Sequence, residues 1–371
     1  MPTSLSDLAR TIQNEIDRLP PVDPLTLSSP EEAEEGKRVR EIIHHVCSKV
    51  NPEVLNRIED DFFRAGPLET LLHDREITEI IVNGPNSIWF EKAGRLIRHD
   101  DIFLSDLNYR NFIARLGREA GIHASLDCPF GDGHWRESRV HLVLPPASKH
   151  HAVISIRRHP KTAWTFDRLA ERGWAPPSAI ETIRRLIDER ANILVVGGTG
   201  TGKTSVLGAC LTTLVDNERV LLIEDVDELP VPNDISGKLL TRRDANGVLR
   251  EIDQAELVRQ ALRMRPDRIV MGEIRGGEAK DLLMAFATGH TGCMGTLHAD
   301  SARQALLRLE MLVQIGAPQW SLHTVRRLIQ LSIQAIIVVG RSEDGGRRLC
   351  GIHRLVSLED SGFLLENLLS V

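Results

Sequence analysis

The spacing of apolar and polar positions changes along the chain, and the changes divide it into three regions. Residues 1–19 have the spacing of a short amphipathic helix, and helical spacing returns from Val39 to Val50. The proline-rich and acidic stretch between them, residues 20–36, predicts a solvated linker. We therefore expect residues 1–60 to form a helical N-terminal segment and linker.

Residues 61–163 predict a second region in which strands and a helix are mixed. Two strand-like runs flank Asn83-Gly84-Pro85-Asn86, a sequence typical of a turn. The expected elements are strands at 77–82 and 87–90, a helix at 106–120, and strands at 139–144 and 152–157. This order predicts an α+β domain, and no catalytic motif lies within it.

The third region, residues 164–371, begins with a connection that extends to Pro177. Beyond Ile180, strands and helices alternate to about residue 330, which is typical of a parallel sheet with crossover helices. Two further strands, near residues 334–340 and 348–355, complete the domain. The predicted fold class is therefore α/β, preceded by an α+β domain and a short helical segment.

Composition and charge argue against several function classes. A net charge of -6 and an aromatic content of 4% argue against a nucleic-acid channel, which is basic and rich in aromatic residues. No apolar run approaches the roughly 18 residues of a membrane span, and the first residues lack the layout of a secretory signal. The five cysteines include no C-x-x-C pair, which favours free thiols over disulfides or a zinc site. We expect a cytoplasmic protein that meets membranes through partners.

A phosphate-binding motif follows the strand-like run at residues 192–196. The sequence from Gly197 to Thr204 matches G-x-x-x-x-G-K-[ST] completely, and a helix with an apolar face follows it. Glycines let backbone N–H groups surround phosphates, and the helix N-terminus adds positive potential. Lys203 would reach the β- and γ-phosphates, and Thr204 would bind Mg²⁺. The residues predicted to bind ATP here are Gly198, Thr199, Gly200, Thr201, Gly202, Lys203, Thr204 and Ser205.

Two later strand-like runs end in acidic residues. One runs into the acidic residues at 224–228, and the other runs into Glu273. Because ligands bind outside the carboxyl ends of parallel strands, both acidic ends should face the phosphate loop. One acid is needed near Mg²⁺, and another is needed to orient or deprotonate the attacking water. Capping of the next helix is the alternative explanation for each acidic end.

The glycine-rich stretch at residues 288–301 carries two histidines, His290 and His298. Residues 294–297 predict a strand, so His298 would lie at a strand end and could contact the γ-phosphate. A histidine buried in the core is the alternative. Cys293 has no evident base partner, and we interpret it as a packing residue.

Arginines are the remaining candidates. Arg139, Arg157 and Arg158 lie in the last strands of the middle region, and Arg242 and Arg243 lie between the two acidic ends. An arginine that reaches a nucleotide from another domain or subunit stabilises transition-state charge. Surface ion pairing explains each of them equally well.

Four motifs taken together resemble one family. GGTGTGKTS, LLIEDVDEL, RPDRIVMGEIRGGEA and GHTGCMGTLHADS look like the Walker A, Asp, Walker B and His boxes of the type II/type IV secretion ATPase superfamily. The resemblance covers about residues 62–355. The upstream segments DFFRAGPLETLL, REITEIIVNGPNSIWFEKAGRL and SRVHLVLPP resemble the N-terminal domain of the CpaF/TadA subgroup, the motors of tight-adherence (Flp) pili.

The resemblance implies an architecture and an assembly. It implies a PAS-like N-terminal domain over residues 61–163 and a RecA-like motor domain over residues 164–371, with ATP and Mg²⁺ in the cleft between them. It also implies a homo-hexamer that acts on inner-membrane platform proteins and is itself cytoplasmic and peripherally associated with that membrane. No nucleic-acid partner is expected.

The resemblance also implies roles for single residues. Glu224 would be the catalytic glutamate, and Glu273 would be the Walker B acid near Mg²⁺. His290 and His298 would form the His-box pair.

The family's arginines that approach the nucleotide from the N-terminal domain correspond to Arg139 and to Arg157 or Arg158, and Arg158 is our candidate for catalysis. A short insertion after Asp132 leaves Arg136 as the alternative to Arg139.

The predicted function is a hexameric Mg-ATP-hydrolysing motor for pilus assembly or for type II or type IV secretion. The alternatives are a RecA- or helicase-type ATPase that moves nucleic acid and a scaffold that binds nucleotide without turnover. Lys203, Glu224 and Glu273 are all present, so hydrolysis is favoured over the scaffold. Pilus extension, pilus retraction and export remain open alternatives.

Overall fold

A computed structural model describes residues 4–19, 29–92, 94–158, 163–242, 250–342, 345–360 and 362–370. The chain divides into two compact units, Met1–His159 and Pro160–Val371. None of the helices within the described residues is both long enough and apolar enough to cross a membrane.

The first unit begins with a group of helices. These are α1 (Leu5–Ile16), α2 (Ser29–Val46), α3 (Pro52–Phe63) and α4 (Leu68–His73). Ile12, Ile43 and Ile58, one from each of the first three helices, form a small apolar core. α1 begins at an N-cap, Ser4, whose side chain accepts a hydrogen bond from the backbone N–H of Asp7.

Helix α2 corrects the predicted linker at residues 20–36. The helix begins at Ser29, so residues 29–36 are helical, while residues 20–28 lie outside the described part of the chain. The run of glutamate and alanine after Pro30 has good helix propensity, and proline is tolerated in the first turn of a helix. Acidic composition was therefore a misleading indication of a linker here.

A six-stranded antiparallel sheet forms the rest of the first unit. Its strands are β1 (Ile77–Val82), β2 (Ile88–Lys92), β3 (Arg95–Arg98), β4 (Phe130–Trp135), β5 (Ser138–Val143) and β6 (Val153–Arg158). Their order across the sheet is β3-β2-β1-β6-β5-β4. Helix α5 (Asp106–Glu119) contributes Tyr109, Phe112 and Leu116 to the same core as Val140 and Ile156 of the sheet. This is the α+β unit that the sequence predicts.

The second unit contains an eight-stranded sheet. Its strands are β7 (Ile193–Gly197), β8 (Val220–Glu224), β9 (Gly237–Leu240), β10 (Arg268–Ile274), β11 (Met294–His298), β12 (Ala335–Arg341), β13 (Arg347–Glu359) and β14 (Gly362–Ser370). Their order is β14-β13-β12-β7-β11-β10-β8-β9. From β12 to β9 all neighbouring strands are parallel, and β13 and β14 continue the sheet as an antiparallel hairpin.

Helices cover both faces of this sheet. They are α6 (Phe166–Glu171), α7 (Pro177–Asp188), α8 (Lys203–Leu211), α9 (Gln254–Ala261), α10 (Glu278–Ala287), α11 (Ala302–Gly316) and α12 (Leu322–Ser332). Two apolar cores, one on each face, share the central strands, and every residue of β7 and β8 is buried. Such double burial explains why these strands are continuous apolar runs rather than alternating ones.

The predicted α/β fold is confirmed, with two local differences. The connection predicted at residues 164–177 contains helix α6. The strand predicted near residues 348–355 extends to Glu359 as β13, and a further strand, β14, follows it. Because the central strands are parallel, the ends of β7, β8, β10 and β11 meet at one edge of the sheet. We call this edge, where β7 runs into the glycine-rich loop, the carboxyl edge, and the opposite one the amino edge.

Candidate active site

The glycine-rich loop connects β7 directly to α8. Gly200 and Gly202 have φ values of 71° and 93°, the left-handed region that glycine adopts without strain. Helix α8 begins at Lys203, and no side chain caps its N-terminus. The first N–H groups of a helix lack intrahelical partners, so this end of α8 offers donors and positive potential to an anion.

Lys203 is held inside the loop. Its side chain is buried, and its Nζ donates to the backbone carbonyls of Gly197 at 3.1 Å and Gly198 at 2.9 Å. The Thr201 hydroxyl also donates to Gly198 O, at 2.9 Å, which fixes the curve of the loop. The eight residues of the motif that are predicted to bind nucleotide, Gly198 to Ser205, lie in this loop and in the first turn of α8.

A chain of polar contacts connects Lys203 to the ends of two other strands. Lys203 Nζ lies 3.3 Å from Nδ1 of His298, the last residue of β11, and His298 Nε2 lies 2.9 Å from Oε1 of Glu273 in β10. A neutral imidazole with its proton on Nε2 donates to Glu273. The Lys203 ammonium lies 3.3 Å from Nδ1 and 3.4 Å from Nε2, so it contacts both ring nitrogens rather than the lone pair of Nδ1 alone. The predicted strand-end histidine and one predicted acid therefore meet beside the loop lysine.

The charges of this chain are set by burial and by each other. Burial alone would raise the pKa of Glu273, but a hydrogen bond from Arg275 and the positive charge around the carboxylate lower that pKa below its ordinary value. Burial and the neighbouring Lys203 ammonium lower the pKa of His298, against the opposing effect of Glu273. At neutral pH this site therefore holds an ionised Glu273 and a neutral His298.

Arg275 joins the two acidic strand ends, and sequence patterns did not single it out. Its NH2 group lies 2.5 Å from Glu273 Oε2, and its NH1 group lies 3.3 Å from Oδ2 of Asp225, which follows β8. The other oxygen of Asp225 accepts hydrogen bonds from Thr241 at 3.0 Å and Gln254 at 3.1 Å. Arg275 directly follows β10, so its position could have been noticed from the strand prediction alone.

Glu224, the last residue of β8, is more deeply buried than an acid at a sheet edge usually is. It is 3% exposed, and its Oε1 accepts hydrogen bonds from the backbone N–H groups of Glu228 at 3.2 Å and Leu229 at 3.0 Å. Its Oε2 lies 3.3 Å from Lys238 Nζ. Burial raises the pKa of Glu224 to about 7, although Lys238 and the two backbone donors act in the opposite direction.

Glycine at position 272 permits this burial. A Cβ atom there would lie 2.9 Å from Cγ of Glu224, which is closer than real Cβ atoms approach. Lys238, from β9, also contacts Asp227 and the carbonyl of Leu229. The loop after β8 thus contacts both the Glu224 carboxylate and the Lys238 ammonium.

His290 is not brought to this site. It precedes β11, so it lies at the amino edge, and its Nδ1 lies 3.1 Å from the carbonyl oxygen of Ala285. Within this chain the strand β11 therefore separates His290 from His298, and a role for His290 at the nucleotide stays a prediction. Cys293 is buried, and its Sγ accepts a hydrogen bond from Ile269 N at 3.3 Å, as expected of a packing residue.

The arginines of the first unit occupy distinct positions. Arg136 and Glu137 form the turn between β4 and β5 with positive φ angles, and Arg136 NH1 lies 2.9 Å from Oε1 of the buried Glu69. Arg139 lies within β5 and pairs with Asp132 at 3.1 Å.

Arg157 and Arg158 are the last two residues of β6 in the same sheet. Arg157 is exposed and lies opposite Arg139 in the register of β5 and β6, and Arg158 donates to the backbone carbonyl of Asp74. Arg136 and Arg139 are thus each ion-paired within this unit, and Arg139 and Arg157 are neighbours on one face of the sheet. In the second unit Arg242 donates to Arg250 O at 2.9 Å, and Arg243 lies outside the described residues.

The donors and acids at the carboxyl edge fit a magnesium–nucleotide complex. An uncapped helix N-terminus, left-handed glycines and a buried lysine are what a polyphosphate requires. Mg²⁺ bound with phosphates takes one or two protein oxygens, and the Thr204 hydroxyl and the ionised Glu273 carboxylate are suitable ones. Within the described residues no group of three or more metal-ligating side chains forms a separate metal centre.

Fold and site together define a P-loop protein whose parallel sheet presents a lysine, two acids and a histidine at one edge. Residues 133–341 match the family described as "Type II/IV secretion system protein". The chain belongs to this family.

Known proteins of similar sequence agree with this assignment. A putative conjugal transfer protein of Mycobacterium tuberculosis (strain ATCC 25618 / H37Rv) is 34% identical over 306 residues, 80% of this chain and 86% of its own length. The type IV secretion system protein PtlH homolog of Bordetella bronchiseptica is 30% identical over 321 residues, 77% of this chain and 92% of its own length.

The fold is shared with a solved structure. The X-ray structure of the Legionella pneumophila ATPase DotB aligns with a TM-score of 0.56 and 21% identity, and it covers 81% of this chain and 82% of DotB. At this identity the likeness concerns the fold, and the roles of single residues are argued from the site itself.

Proposed function

We propose that this protein is a Mg-ATP-hydrolysing motor of a type II or type IV secretion or pilus machine. The observation that carries the proposal is the contact chain from Lys203 through His298 to Glu273, at the end of a loop built for phosphates. A scaffold that only binds nucleotide needs the loop and the lysine, but it has no use for ionisable groups arranged beside them.

Each residue of the carboxyl edge has a role in this proposal. Backbone N–H groups of residues 198–205 and the Lys203 ammonium hold the phosphates, and Thr204 and Glu273 hold Mg²⁺. His298 lies beside Lys203 and Glu273, and it would give up one of these contacts to bind the terminal phosphate. When bound, Mg-ATP supplies a phosphoanhydride whose cleavage releases the free energy for mechanical work.

Glu224 is the proposed general base. A pKa of about 7 is suitable for a group that must accept a proton from water at neutral pH. Lys238, 3.3 Å from Oε2, stabilises the ionised carboxylate, and the two backbone donors on Oε1 fix its orientation. Proton transfer at Glu224 would change these contacts, so turnover at this residue would alter the loop formed by residues 225–229.

The assembly and the cargo are inferred from the family. We propose a homo-hexamer that is cytoplasmic, associates peripherally with the inner membrane through platform proteins, and belongs to the CpaF/TadA subgroup of Flp pilus motors. We divide the chain into a helical segment (1–60), a PAS-like domain (61–163) and a RecA-like motor domain (164–371). Arg139, Arg157 and Arg158 of the PAS-like domain would approach the nucleotide, and Arg158 would assist catalysis. The conjugal-transfer and type IV secretion relatives support a secretion role.

Phosphate release from Mg-ATP, measured at several concentrations of the purified full chain, tests the proposal. We expect turnover that requires Mg²⁺ and rises more than linearly with protein concentration, because a ring brings residues of one subunit to the site of the next. Lys203→Ala should abolish turnover, and Lys280→Ala, a change of a half-buried lysine whose Nζ lies 3.4 Å from Asp281, should not.

Two outcomes would contradict parts of the proposal. Turnover strictly proportional to concentration would exclude shared sites in an assembling ring. Absence of turnover, also when membranes that carry the partner proteins are added, would leave a nucleotide-gated scaffold as the function.

A further inference from the structure

Two arginines that no motif includes contact the phosphate loop. Arg341 NH2 donates to the backbone carbonyl of Gly200 at 3.2 Å, and Arg347 Nε donates to the same oxygen at 3.0 Å. Arg341 ends β12 and Arg347 begins β13, and the two are direct partners in the antiparallel register of these strands. One backbone oxygen of the loop is therefore shared by two guanidinium groups from a neighbouring hairpin.

These arginines lie on the opposite side of the loop from the acids. In the sheet, β7 lies between β12 and β11. Glu224, Glu273 and His298 lie at the ends of β8, β10 and β11, on one side of β7, whereas Arg341 ends β12 on the other side. If the reacting phosphate lies next to the acids, the arginines are on the side of the loop away from it, where the nucleoside end of a nucleotide could extend.

The loop glycines let the guanidinium groups approach closely. A Cβ atom at Gly200 would lie 2.6 Å from Arg341 NH2, and one at Gly202 would lie 3.3 Å from Arg347 Cδ. The side chain of Arg347 thus lies against the backbone at Gly202. Both arginine side chains are exposed to solvent beside the loop.

We propose that Arg341 and Arg347 form the nucleoside subsite of this protein, in which a guanidinium plane stacks on the purine base while its N–H groups hold the phosphate loop. Guanidinium groups stack on aromatic rings and donate in their own plane at the same time, so one side chain can perform both tasks. The inference rests on the proposed nucleotide site and deepens it. It assigns a specificity role to the β12–β13 hairpin, which lies outside the family's motif boxes.

Comparison of two ligands separates this role from simple support of the loop. We would measure the binding of ATP and of inorganic tripolyphosphate, each with Mg²⁺, to the full chain by calorimetry. In the double variant Arg341→Ala/Arg347→Ala, the affinity for ATP should fall about tenfold, the effect of one or two cation–ring contacts. The affinity for tripolyphosphate, which has no base, should change less than twofold.

Arg354→Ala is the matched control. Arg354 lies on the same strand, β13, but its Cα partner Ala335 is at the amino edge, and it pairs with Glu189 at 3.4 Å. The affinity of the Arg354→Ala variant for ATP and for tripolyphosphate should equal that of the wild type. Arg347→Lys keeps the positive charge but not the plane, and should lose ATP affinity nearly as Arg347→Ala does.

Each result decides the matter. Equal losses for ATP and tripolyphosphate in the double variant would mean that the arginines only support the loop, and unchanged ATP affinity would mean that they touch no part of the nucleotide. Either result would overturn this inference and leave the nucleotide site itself intact. Wild-type protein that binds neither ligand would overturn both.

Discussion

The two edges of the eight-stranded sheet are both rich in charged residues, but they use them differently. At the amino edge, Arg268 is 4% exposed and forms a two-pronged pair with Glu218, with distances of 2.5 Å and 3.2 Å. Its NH1 group also donates to the carbonyl of Gly292 at 3.1 Å. Charge-assisted pairs of this geometry are strong and specific.

Arg190 completes the amino-edge network. Its NH1 group pairs with Glu218 at 2.5 Å, and its other nitrogens donate to Thr291 Oγ1 at 3.1 Å and Asp267 O at 2.9 Å. These contacts join the turns that precede four strands, so they hold the start of the sheet together.

The carboxyl edge contrasts with this network. Glu224, Glu273 and His298 all have pKa values displaced from their ordinary range, because burial and neighbouring charges act on groups that could still exchange protons or ligands. The number of charges therefore does not distinguish a functional edge from a structural one. What distinguishes the two edges is how their charged groups are used. At the amino edge these groups bond to one another and to the backbone, whereas at the carboxyl edge burial and neighbouring charges shift the pKa values of groups that could take part in catalysis.

The largest expected effect concerns the amino edge. Arg268→Ala leaves Glu218 with one partner fewer in a nearly buried position, so the free energy of unfolding should fall by about 3–5 kcal/mol. Denaturant unfolding measures it. Arg259→Ala, which removes a half-exposed pair with Glu256, should cost at most about 1 kcal/mol. A loss below about 1 kcal/mol for Arg268→Ala would show that the amino edge does not hold the sheet together.

Glu224→Gln tests the carboxyl edge. The amide keeps the shape and still accepts from the backbone at Oε1, but it cannot take a proton, so turnover should fall at least about 100-fold. ATP affinity, measured by calorimetry, should stay within about threefold. Glu228→Gln is the matched change, because Glu228 lies in the same loop and its backbone N–H contacts Glu224. If Glu228→Gln loses turnover and Glu224→Gln keeps it, the base is Glu228 and Glu224 positions it.

His298→Ala should have a smaller effect. It breaks the contacts to Lys203 and Glu273 without removing either charge, so we expect turnover to fall roughly tenfold, the loss of one or two hydrogen bonds. Steady-state kinetics should place the loss in kcat rather than in KM. His290→Ala is the control from the amino edge and should change neither constant. Equal losses in both variants would mean that the two histidines act together after all.

The smallest effect is the dependence of turnover on pH. Burial raises the pKa of Glu224 to about 7, and a general base must be deprotonated to act. Turnover should therefore rise from pH 6 to 8 and level off, by about fivefold between pH 6 and 7. Since the pKa of His298 is lowered below 6.5, its protonation cannot cause a change centred near pH 7. A flat profile from pH 6 to 8 would contradict the assignment of Glu224 as the base.

Local signals explain how much of this site could be predicted from sequence. The apolar runs that became β7, β8 and β11 are as long as strands and end in glycine, glutamate and histidine, so each strand end and its functional residue are neighbours in sequence. The parallel arrangement then follows from the alternation with helices. For these elements, prediction required no knowledge of distant contacts.

The features that were missed depend on contacts between distant parts of the chain. Arg268 and Glu218 are 50 positions apart, and Arg347 and Gly200 are 147 apart, so no spacing in the sequence indicates either pair. Likewise the burial of Glu224 depends on Lys238 and on the glycine at position 272. The motif that contains both histidines also does not indicate that His290 precedes β11 while His298 ends it, so that the two lie at opposite edges of the sheet.

Hydrogen exchange of the full chain, with and without Mg²⁺ and a non-hydrolysable ATP analogue, tests the contrast between the two edges directly. We expect slower amide exchange at the carboxyl edge, in residues 195–206, 222–229, 271–276 and 296–300. We expect no change at the amino edge, in residues 187–192, 217–220, 266–269 and 290–293. Unchanged exchange at residues 195–206, or protection at the amino edge instead, would contradict the placement of the nucleotide site.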